Sequence, residues 1–270
     1  MFLFKWLEET KKRRTLMKAA KEGETADLQS VLNSGINVDL RFNKGNTALH
    51  LASISGQEAC VQALLDNGAN VNAKNHESYT PLLYAAEVGN NDIVKALLNK
   101  GADRNAKEAE HEHNALLVSV FAGQTEVVKL LLNNDFDVNS RDKYGQSAIF
   151  LASVRGHSDI AQILIDRGAD VNVPKGNTAL MVAAGEGNIN IVRALLEKEA
   201  NINALGDRGD TALMSAAVRG HVDIVKLLLE KGADVNIETM GFTALSMAAR
   251  NGHTEVVELL SKAAGRDELT

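Results

Sequence analysis

Thr211–Asn236, TALMSAAVRGHVDIVKLLLEKGADVN, encodes two short helices and two stops, and the chain writes versions of it eight times. Thr211 is placed to cap a first helix with its hydroxyl, Leu213, Ala216 and Ala217 form an apolar side at helical spacing, and Gly220 supplies a stop. A second helix is expected from about Asp223, whose carboxylate suits the positive end of a helix. Ile224, Val225, Leu228 and Leu229 fall on one stripe of it, and Gly232 ends it. Two antiparallel helices this short cannot bury their apolar faces alone. Each copy must therefore stack on its neighbours, which predicts a solenoid.

The copies are in register. The anchors Leu16, Leu49, Leu82, Leu116, Ile149, Leu180, Leu213 and Leu245 are each followed seven residues later by glycine: Gly23, Gly56, Gly89, Gly123, Gly156, Gly187, Gly220 and Gly252. Several copies open on T-[AP]-L, as at Thr47-Ala48-Leu49, Thr80-Pro81-Leu82, Thr178-Ala179-Leu180 and Thr243-Ala244-Leu245. Three close on G-A-[DN]-V-N, at Gly68 to Asn72, Gly168 to Asn172 and Gly232 to Asn236. On these motifs the chain resembles the ankyrin-repeat family, whose period is about 33 residues. The resemblance implies an all-α solenoid of stacked helix-turn-helix units with β-hairpin-like finger loops. It would place one domain of eight repeats over residues 15–264, an N-terminal capping helix over 1–14 and a polar tail over 265–270. It also implies a protein-binding module without enzymatic activity, whose groove of finger turns and first helices receives another protein.

Composition agrees with packed short helices: of 270 residues only two are proline and 4% are aromatic. A net charge of -6 gives no general attraction to nucleic acid or anionic membranes. Neither a run of about 18 apolar residues nor an N-x-[ST] sequon occurs, so a cytoplasmic monomer is expected. Cys60 stands where other copies carry Ile93, Val127 or Ile224, which reads as a small buried hydrophobe. Phe2, Leu3, Trp6 and Leu7 form an apolar stripe expected to pack on repeat 1. The basic run Lys11, Lys12, Arg13 and Arg14 reads as a solvated helix face, with nucleic-acid or membrane contact as the alternative.

The copies are not equal. Repeat 4 carries a loop, KEAEHEHN, with one extra residue, and Asp135 and Glu199 replace the glycine that stops a second helix. Both are expected in the left-handed backbone region. The loop VPKG after Asn172 is two residues short. Arg208-Gly209-Asp210 spells an adhesion tripeptide but sits at a finger turn, where glycine has a backbone reason. His50 reads as a structural hydrogen-bonding group. A metal-dependent enzyme at His76, His111 and His113 is the alternative function, because adjacent fingers run side by side. No cofactor motif, phosphate loop or catalytic triad occurs, and neither cofactor nor metal is expected.

The residues that the repeat sends toward the groove without needing them for the core are the candidate binding set. They are His76, Tyr79, Glu87, His113, Phe121, Tyr144, Arg155, Arg208, Arg219, Phe242 and Arg250. Arg155 and Arg219 share one repeat position, Arg250 falls one residue earlier in its copy, and the three are expected to make a positive row.

Overall fold

The computed structural model describes residues 2–172 and 176–265, with side chains from Trp6 onward. Its helices gather into two compact units, Met1–Gly145 and Gln146–Thr270. The division falls just after the most irregular copy. The first unit holds α1 (Phe2–Glu22), α2 (Thr25–Asn33), α3 (Ala48–Ile54), α4 (Glu58–Asp66), α5 (Pro81–Val88), α6 (Asn91–Asn99), α7 (Ala115–Phe121) and α8 (Thr125–Leu132). The second holds α9 (Ala148–Arg155), α10 (Ser158–Asp166), α11 (Ala179–Gly185), α12 (Ile189–Glu197), α13 (Ala212–Arg219), α14 (Val222–Glu230), α15 (Ala244–Arg250) and α16 (Thr254–Ala263). A hairpin of β1 (Glu238–Thr239) and β2 (Phe242–Thr243) precedes α15.

Each first helix begins where its sequence says it should. The side chains of Thr80, Asn114, Ser147, Thr178, Thr211 and Thr243 accept the backbone N–H three residues on, which satisfies one of the orphan donors of the helix start. First helices pack on first helices, with α1, α3, α5 and α7 in one unit and α9, α11, α13 and α15 in the other. The second helices form a parallel layer behind them, and in α14 Ile224, Val225, Leu227 and Leu228 are buried. Each such side chain contributes roughly 1.5–3 kcal/mol by leaving water.

Two features join one copy to the next. Gly220 takes φ 73°, and a Cβ there would lie 2.5 Å from the ring of His253, whose Nε2 sits 3.0 Å from the Val218 carbonyl. Glycine at this position therefore makes the turn and clears a path for the next copy's side chain. The closing Asn ties the copies from the other side. Asn72 Oδ1 accepts the N–H of Asp103 at 2.7 Å while its Nδ2 donates to the Gly101 carbonyl at 3.2 Å. Asn172 does the same with Asn201 and Glu199, at 2.7 and 3.1 Å.

Fingers in the first unit are linked through their backbones: His76 N–H donates to Lys44 O, Ala109 N–H to Glu77 O and Lys143 N–H to His111 O, at 2.9, 3.0 and 3.0 Å. Among the described residues only the last finger forms strands. Its turn, Met240-Gly241, has both residues left-handed, at φ 50° and 81°, as a two-residue hairpin turn requires.

The expected packing of the N-terminal stripe is corrected in part. α1 runs unbroken through position 14, so the cap and the first helix of repeat 1 are one element, and it buries Leu16, Ala19 and Ala20. Trp6 and Leu7 are 62% and 51% exposed and are not buried against repeat 1. The side chains of Phe2 and Leu3, the short loop 173–175 and the tail 266–270 lie outside the described residues.

Candidate functional site

The second unit carries an open groove of about 540 Å³ on the finger side of its first helices. α11, α13 and α15 contribute Met181, Met214 and Met247 to its floor, the first two of them otherwise buried. Val182 and Val218 flank them, and the last two fingers close it with Arg208, Asp210, Met240 and Phe242. Met240 is 78% exposed and Phe242 38%. The rim is charged with both signs. Arg219 Nη2 lies 3.6 Å from Glu186 Oε1 in a solvent-exposed pair, and the Arg250 guanidinium sits 5.7 Å above the centre of the Phe242 ring.

Of the candidate residues, Arg208, Arg219 and Phe242 line this groove and Arg250 borders it through Phe242. Arg155 is exposed in the last turn of α9 and does not line it. The expected positive row is corrected: Glu186 occupies the same repeat position between Arg155 and Arg219 and pairs with Arg219. The floor methionines were missed. Their signal was present, because Met181 and Met214 take the place that His50 holds in repeat 2.

In the first unit, Tyr79, Glu87, Phe121 and Tyr144 lie on the finger side around His111 and His113. The Tyr79 ring is half-buried against Tyr84, centroids 4.6 Å apart, and burial with the nearby Glu87 and Glu108 charges pushes its phenol up. Partial desolvation of its carboxyl, then the Glu108 charge, holds Glu87 above the usual carboxylate range. Phe121 is 41% and Tyr144 63% exposed, and the Tyr144 ring meets His111 edge-on at 6.3 Å. His76 is exposed and stands apart, its ring beside Gly45.

His113 departs from the expectation of a groove contact. It is buried, with its ring 5.9 Å from Phe121 and stacked on His111 at 5.1 Å, at the place that the half-buried Tyr79 holds in the preceding finger. Burial holds its imidazole below the ordinary value, against the pull of Glu108 and Asp142. The histidine cluster forms without His76. Glu108, which the sequence reading overlooked, takes its place: a carboxylate oxygen of Glu108 and a ring nitrogen each of His111 and His113 all lie within 4.8 Å of one another. Burial pushes the Glu108 carboxyl up, but the N–H groups of His113, His111 and Glu110 outweigh it and leave it below the usual range.

The remaining sequence features take structural roles. His50 is buried, its Nδ1 against Thr47 at 2.8 Å and its Nε2 3.0 Å from the Tyr79 carbonyl. Cys60 is fully buried and burial pushes its thiol up, which removes it as a nucleophile. Gly209 of the Arg-Gly-Asp tripeptide is left-handed at φ 78° in its finger turn. Arg13 donates to the Arg41 carbonyl at 2.6 Å and lies over the Phe42 ring. Among the described residues no helix is long and apolar enough to cross a membrane.

The family described as "Ankyrin repeats (3 copies)" matches residues 16–108, 82–175, 116–205, 172–239 and 203–268. The crystal structure of the human ASB11 ankyrin repeat domain superposes with a TM-score of 0.74 at 28% sequence identity, covering 81% of this chain and 98% of that one. No curated protein matches the chain.

Proposed function

The chain belongs to the ankyrin-repeat family, whose repeats are generally protein–protein interaction modules, and from that premise we propose that it is a cytoplasmic adaptor, scaffold or inhibitor. Its partner protein lies along the finger turns and first helices. One observation carries the reading. Met240 stands in a left-handed turn at φ 50°, where glycine or asparagine is the favoured choice, and it is 78% exposed at the mouth of an apolar groove. The fold gains nothing from methionine there. A binding surface does, because a flexible thioether moulds itself to apolar groups of a partner.

The groove fits a segment with an apolar side chain for the Met181, Met214 and Met247 floor and charged groups of both signs for Arg208, Arg219 and Asp210. In the first unit, Tyr79, Glu87, Phe121 and Tyr144 form the second part of the proposed surface, with His76, Arg155 and Arg250 at its margins. His113, being buried, leaves the set. The protein acts by binding, without a catalytic step. Affinity capture with mass spectrometry identifies the partner, and Arg219→Glu and Tyr144→Ala are each expected to weaken its binding by more than about 1 kcal/mol with little change in thermal midpoint. Full affinity in both variants, or loss only through unfolding, contradicts the assignment.

A further inference from the structure

We propose that Glu108, His111 and His113, on the finger of the fourth repeat, bind a divalent transition-metal ion of the Zn2+ type. Two independent observations point there. The first is convergence: one donor atom from each residue lies within 4.8 Å of the other two, and imidazole nitrogens with a carboxylate oxygen are the donor set such ions prefer over the all-oxygen set of Ca2+ or Mg2+. The second is an unsatisfied group. The His113 side chain is 9% exposed, yet its Nε2 has no hydrogen-bond partner among the described residues, the Asp142 carboxylate lying 3.5 Å away. Buried polar atoms are almost always well paired, and this ring nitrogen has only an ion-pair contact with Asp142 at the outer limit of hydrogen-bonding distance, which a cation would replace with a stronger bond. A bound divalent cation does so by ordering the two rings and the Glu108 carboxylate around one ion.

The fold explains only part of this loop. Glu108 holds the finger turn by accepting the N–H groups of Glu110, His111 and His113, as Asn75 accepts those of Glu77 and Tyr79 in the preceding finger. That accounts for an acid or amide at 108 but not for histidines at 111 and 113. Local charge favours a cation: Glu108, Glu110, Glu112 and Asp142 surround the pair, while the nearest ammonium groups are committed elsewhere, Lys107 to Glu112 at 3.5 Å and Lys143 to the Glu110 carbonyl. Ligand bonds of about 2.0 Å require the donors to close by on the order of 1 Å. The His111 side chain is 44% exposed and its Nδ1 already lies 3.8 Å from Glu108 Oε1, so a rotation at this half-exposed position supplies the closure.

The test uses the full chain, untagged and stripped of metal with a chelator. Zn2+ alone, titrated calorimetrically, is expected to bind at one equivalent and to raise the thermal midpoint, and Co2+ is expected to give the visible absorption of a low-coordinate nitrogen–oxygen site. His111→Ala, at a half-exposed position, should fold normally and bind at least tenfold more weakly, and His113→Ala should lose binding. His76→Ala, on the neighbouring finger, should bind like the parent. No saturable heat in the parent chain, undiminished affinity in His111→Ala, or an equal loss in His76→Ala would each overturn the proposal.

Discussion

Asp135 and Glu199 stop second helices at φ 60° and 57°, in the region that six other copies reserve for glycine at Gly35, Gly68, Gly101, Gly168, Gly232 and Gly265. Both are exposed and fill no core space. Asp135→Gly and Glu199→Gly should each stabilise by about 1 kcal/mol, read as a higher thermal midpoint; a lower one would show that their side chains do more than occupy the turn. His50 sets a pH dependence of definite sign. Burial lowers its imidazole below the ordinary value, the Tyr79 and Ala73 carbonyls and Asp39 oppose this, and Arg41 adds to it. The unfolded chain therefore takes up the proton first, at about pH 6.5, so this stability is complete above that pH and is lost as pH falls from there toward the folded value. His50→Gln should reduce the drop in urea midpoint between neutral and mildly acidic buffer. An unchanged drop would assign it to other groups. Such turns and caps were legible because they depend on neighbours in sequence. The burial of His113 was not, since it depends on ring contacts with Phe121 and His111 that the spacing does not reveal.

At the level of elements, α1 carries two different faces. Leu16 is fully buried where α1 meets α2 and α3, whereas Trp6 is 62% exposed nearly three turns earlier. Leu16→Ala should cost about 2–5 kcal/mol in unfolding free energy, and Trp6→Ala less than about 0.5 kcal/mol. Equal costs would return Trp6 to the core that periodicity assigned it. The amphipathic pattern correctly located the helix and misplaced its contact, because a stripe names a face and not what lies opposite. The helix pairs themselves were readable almost residue by residue, their period being written into Leu, Gly and Asn at fixed offsets. The ties between copies, such as Asn72 to Asp103 and His253 to Val218, needed coordinates, since they join residues about thirty apart.

For the whole molecule, the repeat makes the fold and its exceptions make the surface. The groove of the second unit has the buried Met181 and Met214 and the half-buried Met247 beneath the exposed Met240 and Phe242, with Arg208, Arg219 and Glu186 around them. Half of that list was visible as departures from the repeat. The floor methionines were not assigned to the groove because an apolar residue beside a core anchor is read as core, and Met181 and Met214 are buried as well as groove-lining. Hydrogen–deuterium exchange of the chain, alone and saturated with its captured partner, tests the binding-groove account most directly. The account predicts new protection across the finger turns 206–211 and 238–243 and none added along the second helices α12 and α14. Protection confined to α12 and α14, with those turns exchanging as in the free chain, would contradict it.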